Sequence, residues 1–140
     1  MRAHVIENGV VVNTIAIERL DLIPSLNLID ASLGGQIGDL WDGSVFTKPV
    51  PPPPTVADYT EAVQNLLDTT AQAKHYDNII SCCSYAGAPN AFQAEGQAAI
   101  EWRGNVWATC YSIMAQVQAG TIPAPTIPEL LAMLPVMVWP

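Results

Sequence analysis

His75, Cys82, Cys83 and Cys110 are the side chains of this sequence with the most reactive chemistry open to them. Imidazole and thiolate together can hold zinc, but a zinc site brings its ligands in pairs roughly two to four residues apart. Cys82 and Cys83 are adjacent and Cys110 lies far along the chain, so that spacing is missing. A thiol with an imidazole base beside it is a nucleophile, and His75 with one cysteine would make that pair. Thiolate formation needs electropositive surroundings, whereas Asp58, Asp68 and Asp77 stand nearby in sequence and oppose it. Small thiols packed as hydrophobes are the simpler reading. Glu95 and Glu101 show no glycosidase-like pairing, and the chain has no glycine-rich phosphate loop and no serine elbow. Arg103 is the only cation between Asn90 and Gly120, with Glu95, Asp77 or a carboxylate of another chain as its candidate partners. No catalytic, cofactor-binding or metal-binding residue is assigned, and the chain does not read as an enzyme.

The elements that would carry these residues follow from periodicity. From Asn90 to Gly120 the sequence reads as one long amphipathic helix, with Asn90 as N-cap and Gly120 just past the C-terminus. Phe92, Ala99, Trp102, Val106, Cys110, Ile113 and Val117 recur at helical spacing and draw one apolar stripe. Trp107, Tyr111 and Met114 broaden it, which implies neighbours on more than one side. The tryptophans and tyrosines around this helix suit core packing first and interface anchoring second.

The first fifty residues read as β. Val5-Ile6 and Val10 to Ile17 flank Asn8-Gly9, a type I′ hairpin signal because both central residues must accept positive φ. A short strand within 26–30 and a second hairpin around Asp42-Gly43 complete a four-stranded meander. Pro49 and the run Pro51 to Pro54 favour a stiff polyproline II spacer. Thr55-Val56-Ala57-Asp58 opens a helix that buries Tyr59, Val63, Leu66, Leu67 and Ala71 and runs to about His75. Asp77 would cap a shorter helix carrying Ile79 and the paired cysteines. Thr126-Ile127-Pro128-Glu129 opens a last helix. The apolar segment after Leu134 folds back on the helices, since the connector after Gly120 is short enough to return the chain along the long helix. The expected architecture is α+β. A small antiparallel β meander occupies 1–48, a Pro-rich junction 49–54, and a helical domain built on one long helix 55–140.

Composition narrows the function classes. The 140 residues carry a net charge of −8 with only five lysines and arginines, which argues against nucleic acid and against an anionic membrane surface. No apolar run approaches the roughly 20 residues of a membrane span, and no stretch has the form of a secretory signal. Three cysteines, two of them adjacent, are not a disulfide framework and fit reduced thiols in a cytosol. Half of the residues are apolar and only 13% charged, a balance that suits homo-oligomerisation or a permanent partner.

Several stretches together resemble a family of small proteins encoded beside tail-fibre genes in tailed bacteriophages and prophages. They are Ala3 to Asn13 (AHVIENGVVVN), Ile37 to Thr47 (IGDLWDGSVFT), His75 to Ala86 (HYDNIISCCSYA), Phe92-Gln93-Ala94-Glu95-Gly96 through Trp102-Arg103 and Trp107, and Pro125 to Leu131 (PTIPELL). The resemblance implies a phage tail-fibre assembly protein, acting as chaperone or cap while the fibre folds and trimerises. The alternative it implies is a structural component of the mature tail, associated with baseplate or fibre. The partner would be a tail-fibre or other tail protein. The location would be the host cytoplasm during assembly, or the virion tail under the second reading. The resemblance brings no cofactor and no catalytic residue.

Overall fold

A computed structural model describes the chain from residue 1 to residue 140. The fold is α+β, and it divides into two compact units, Met1–Pro52 and Pro53–Pro140.

The first unit is an antiparallel sheet. Strands β1 (Arg2–Glu7) and β2 (Val10–Ala16) form the hairpin, and Asn8 and Gly9 take the paired positive φ values of 52° and 77° that a type I′ turn needs. The register slips between Val5 and Ile6, which bends β1 over its partner. Three further strands are β3 (Leu28–Asp30), β4 (Leu40–Trp41) and β5 (Phe46–Thr47). The order across the sheet is β3-β1-β2-β4-β5. There are therefore five strands rather than four, and they do not follow one another as a simple meander. Ala3, His4, Val5 and Ile6 are all buried, so β1 needs a neighbour on both edges. The long connector after β2 carries the chain across to lay β3 against Ala3–Val5. The second turn also differs from expectation. Only Gly43 has positive φ, and the Asp42 carboxylate organises the turn by accepting from the N–H groups of Ser44 and Val45.

The second unit is helical. Helix α1 (Val56–Gln72) starts in a complete capping box. The Thr55 hydroxyl accepts from the Asp58 N–H and the Asp58 carboxylate accepts from the Thr55 N–H. Val63, Leu67 and Ala71 are its fully buried face. The helix ends in a Schellman motif: the Tyr76 N–H donates to the Ala71 carbonyl and the His75 N–H to the Gln72 carbonyl. His75 takes the left-handed position there, with φ 71°. Helix α2 (Ile79–Ser84) is capped by Asn78, whose side chain accepts from the Ser81 N–H, and not by Asp77 as expected.

The long helix is α3 (Gln93–Gln118). Asn90 does not cap it directly. Its side chain accepts from the Phe92 N–H and donates to the carbonyls of Tyr85 and Ala88, which tightens the turn before the helix. Gly96 lies against α2 so closely that a Cβ there would come within 2.6 Å of the Ala86 nitrogen and 2.9 Å of the Cys82 oxygen. Gly120 closes α3 as expected, with φ 74° and the Thr121 N–H donating to the Gln116 carbonyl. Helix α4 (Ile127–Met133) starts in a second complete capping box, Thr126 with Glu129. The segment after Leu134 returns along the helices in extended form. Leu134 is buried and Met137 and Trp139 pack on the core, while Val136 and Val138 face solvent. No helix is long and apolar enough to cross a membrane.

Candidate functional site

The thiols sit in or beside the helical core. Cys82 is fully buried, with its S–H directed at the Glu95 carbonyl oxygen at 3.9 Å. Burial pushes its pKa up to about 11, and burial also raises the thiols of Cys83 and Cys110. Raised thiols are poor nucleophiles at neutral pH. His75 is exposed at the end of α1, its backbone committed to the helix terminus. No three His, Cys, Asp or Glu side chains are grouped so as to hold a metal ion. Arg103 forms none of the ion pairs open to it; its Nε is buried without a hydrogen-bond partner, and its charge lies near Cys83.

Glu95 pairs elsewhere. Its carboxylate accepts from the Tyr76 hydroxyl at 2.6 Å and meets Lys74 Nζ at 3.4 Å. The Tyr76 hydroxyl and then Lys74 hold this carboxyl below its ordinary range, and desolvation with the Glu95 charge raises the Tyr76 phenol. Lys74 Nζ also lies 5.4 Å over the Trp139 ring, which stacks on Tyr76. The cluster fastens the returning segment to the end of α1; it is a clasp, not a reaction centre.

In the sheet unit His4 is buried and fully engaged. One ring nitrogen lies 2.7 Å from the Thr14 hydroxyl and the other 3.1 Å from the Gly34 carbonyl oxygen, with Phe46 edge-on at 5.3 Å. It borders an open hollow shared with Arg2, Asp30, Ser32 and Gln36. Sequence reasoning passed over His4. Its only signal was a polar residue in an apolar strand, and its partners come from distant positions.

What remains is surface. In the helical unit an apolar groove of about 370 Å³ runs between the start of α1, the second half of α3 and the connector into α4. Tyr59, Trp107, Tyr111, Met114, Val117 and Pro125 form much of its wall, and no charged residue lines it. Tyr111 is 65% exposed and Val56 71%. The broad stripe expected of α3 is thus covered on one side only: Trp102 and Val106 are buried, whereas Tyr111 and Met114 stay open. The sheet unit leaves Leu22, Leu33, Ile37 and Val45 more than half exposed. These surfaces can hold a partner by apolar burial; neither carries groups arranged to make or break a bond.

No protein-family model, no curated protein and no solved structure matches this chain.

Proposed function

We propose that this protein assists assembly of a phage tail fibre by covering an apolar surface of the fibre until its chains have folded and trimerised. The observation that carries the reading is the set of large aliphatic side chains left open by the sheet unit, Leu33 at 66% and Ile37 at 60% exposed among them. A unit of about fifty residues with that much exposed apolar surface is built to be covered. A folding fibre exposes matching surface during assembly. The resemblance of Ala3–Asn13 and Ile37–Thr47 to proteins encoded beside fibre genes supports the same reading. The edge strands β3 and β5 are only three and two residues long. They offer little to strand addition, so the contact is made through side chains.

The test is co-expression with the fibre protein encoded next to this one, followed by pull-down. The full chain should retain the fibre and raise the yield of folded trimer. A fragment of residues 55–140 should keep its helical circular dichroism and lose the fibre. Retained binding by that fragment would move the partner face to the helices. A chain that leaves fibre yield unchanged, yet is found in purified particles, would be a structural part of the finished tail and would overturn the assembly role.

A further inference from the structure

The apolar groove of the helical unit and the proline run have complementary chemistry. Pro51 to Pro54 has no backbone N–H at any position and offers only carbonyl acceptors. Each proline but the last is also restricted by the ring that follows it, so the run is held extended before it binds anything. Pro51, Pro52 and Pro53 are exposed, and Val50 is 89% exposed. The groove presents the opposite set. The Trp107 indole N–H, the Tyr111 hydroxyl and the Gln118 amide reach it and make no hydrogen bond to another residue, while Tyr59, Trp107 and Tyr111 supply ring faces. Aromatic walls with spare donors are the recurring receptor for polyproline II segments.

Charge points to a second copy as the source of that segment. The chain carries −8 overall, so two copies repel each other across most of their surfaces. Residues 49–57 carry no charge, and neither does the groove wall. Val56 lines the groove and follows the run after a single residue. Each copy therefore bears both halves of the contact, and a two-fold arrangement fills two grooves at once. We propose that the groove formed by α1, α3 and the connector into α4 binds the Pro51–Pro54 run of a second copy of this chain, giving a reciprocal homodimer. A four-residue polyproline II segment spans only about 12 Å, so the dimer is weak and concentration-dependent.

The test uses the full chain and a peptide of residues 49–57. Sedimentation over rising protein concentration should show a monomer–dimer equilibrium. The peptide should shift the side-chain NMR signal of the Trp107 indole and compete with dimerisation. Tyr111→Ala should weaken peptide binding about tenfold and keep the native thermal transition, because the side chain lies mostly in solvent. The double variant Pro52→Ala with Pro53→Ala should lose the dimer yet still bind wild-type peptide. Mixing that variant with Tyr111→Ala should restore one of the two contacts and give a heterodimer. A dimer that both variants leave intact would overturn the proposal, as would a peptide that leaves Trp107 unmoved. A chain that stays monomeric while its groove binds the peptide would assign the groove to another protein's proline-rich segment and refute the homodimer.

Discussion

The indole N–H of Trp102 donates to the carbonyl oxygen of Pro135 at 2.7 Å. One buried side chain on α3 thus fixes the point at which the returning segment crosses the helices. Trp102 is 6% exposed and packs within the core cluster that includes Val63, Leu67 and Leu134. Trp102→Ala should cost about 3–5 kcal/mol, the usual loss on emptying a large aromatic site. Trp102→Phe should cost less, because it fills most of the volume but orphans the Pro135 carbonyl. Removing residues 135–140 should also lower the melting temperature, since Met137 and Trp139 pack on the same core. Thermal melts of the three variants check this ordering; a Trp102→Ala protein that melts like its parent would remove Trp102 from the core.

His75 predicts a gain rather than a loss. It occupies the left-handed position at the end of α1, φ 71°, where a residue with a Cβ is strained and glycine is not. Its side chain is exposed and makes no hydrogen bond. His75→Gly should therefore stabilise the helical unit by about 1 kcal/mol. Denaturant midpoints at unchanged slope are the measurement, and a loss of stability would mean that the imidazole makes a contact that matters.

These two residues mark what could be read from the chain. The capping boxes at Thr55 and Thr126, the Asn8-Gly9 turn and the Gly120 terminus were legible because each is a local arrangement, complete within a few neighbouring residues. His75 was not, since nothing local says that a histidine will take the position usually given to glycine. Asp77 and Asn78 are both good caps by type, and only the packing of Ile79 into the core selects Asn78. The strand order was hidden for a similar reason. Placing β3 outside β1 follows from burial on both sides of β1, a property of the folded sheet and not of the Leu28–Asp30 segment. The groove was half legible: the α3 stripe was correctly seen as broad, but only the fold shows which side of it is left open.

The Glu95 clasp sets a pH dependence. Its folded-state carboxyl lies below the ordinary 4.5, held there by the Tyr76 hydroxyl and then by Lys74. A carboxyl with a depressed folded pKa stabilises the fold above its unfolded value, and that contribution is lost as the pH falls through the folded one. Glu95→Gln should therefore be less stable than the parent at pH 7. The difference should shrink steadily below about pH 4.5 as both forms become neutral. Paired melts at pH 7, 5, 4 and 3 would show it; a gap independent of pH would mean that the charge of Glu95 plays no part.

The thiols give a kinetic test. Cys82 is fully buried with its pKa pushed up to about 11, and Cys83 and Cys110 are raised by burial as well. At pH 8 all three should react with an aromatic disulfide reagent more slowly than free cysteine does. Cys82 should be the slowest, reacting only when the helical unit opens. Denaturant should release three rapidly reacting groups. Fast labelling of Cys82 in the native protein would contradict its placement between α2 and α3.

The contact between those two helices turns on Gly96. In an isolated helix, alanine in place of glycine is stabilising by about 1 kcal/mol, because glycine loses more backbone freedom on folding. At position 96 the added Cβ would lie 2.6 Å from the Ala86 nitrogen and 2.9 Å from the Cys82 oxygen, both backbone atoms that cannot swing aside. Relief then requires α3 to move away from α2, which loosens the packing of Ala99 and Trp102 on the same helix. Gly96→Ala should lower stability by about 2 kcal/mol, the range for overpacking a tight contact. Gly104 is the internal control. It lies on the exposed side of the same helix with nothing within 4 Å of a Cβ, so Gly104→Ala should raise stability by about 0.5–1 kcal/mol. Opposite signs for the two substitutions would locate the close approach at Gly96. Stabilisation by both would mean that α2 and α3 stand further apart than the Gly96 geometry requires.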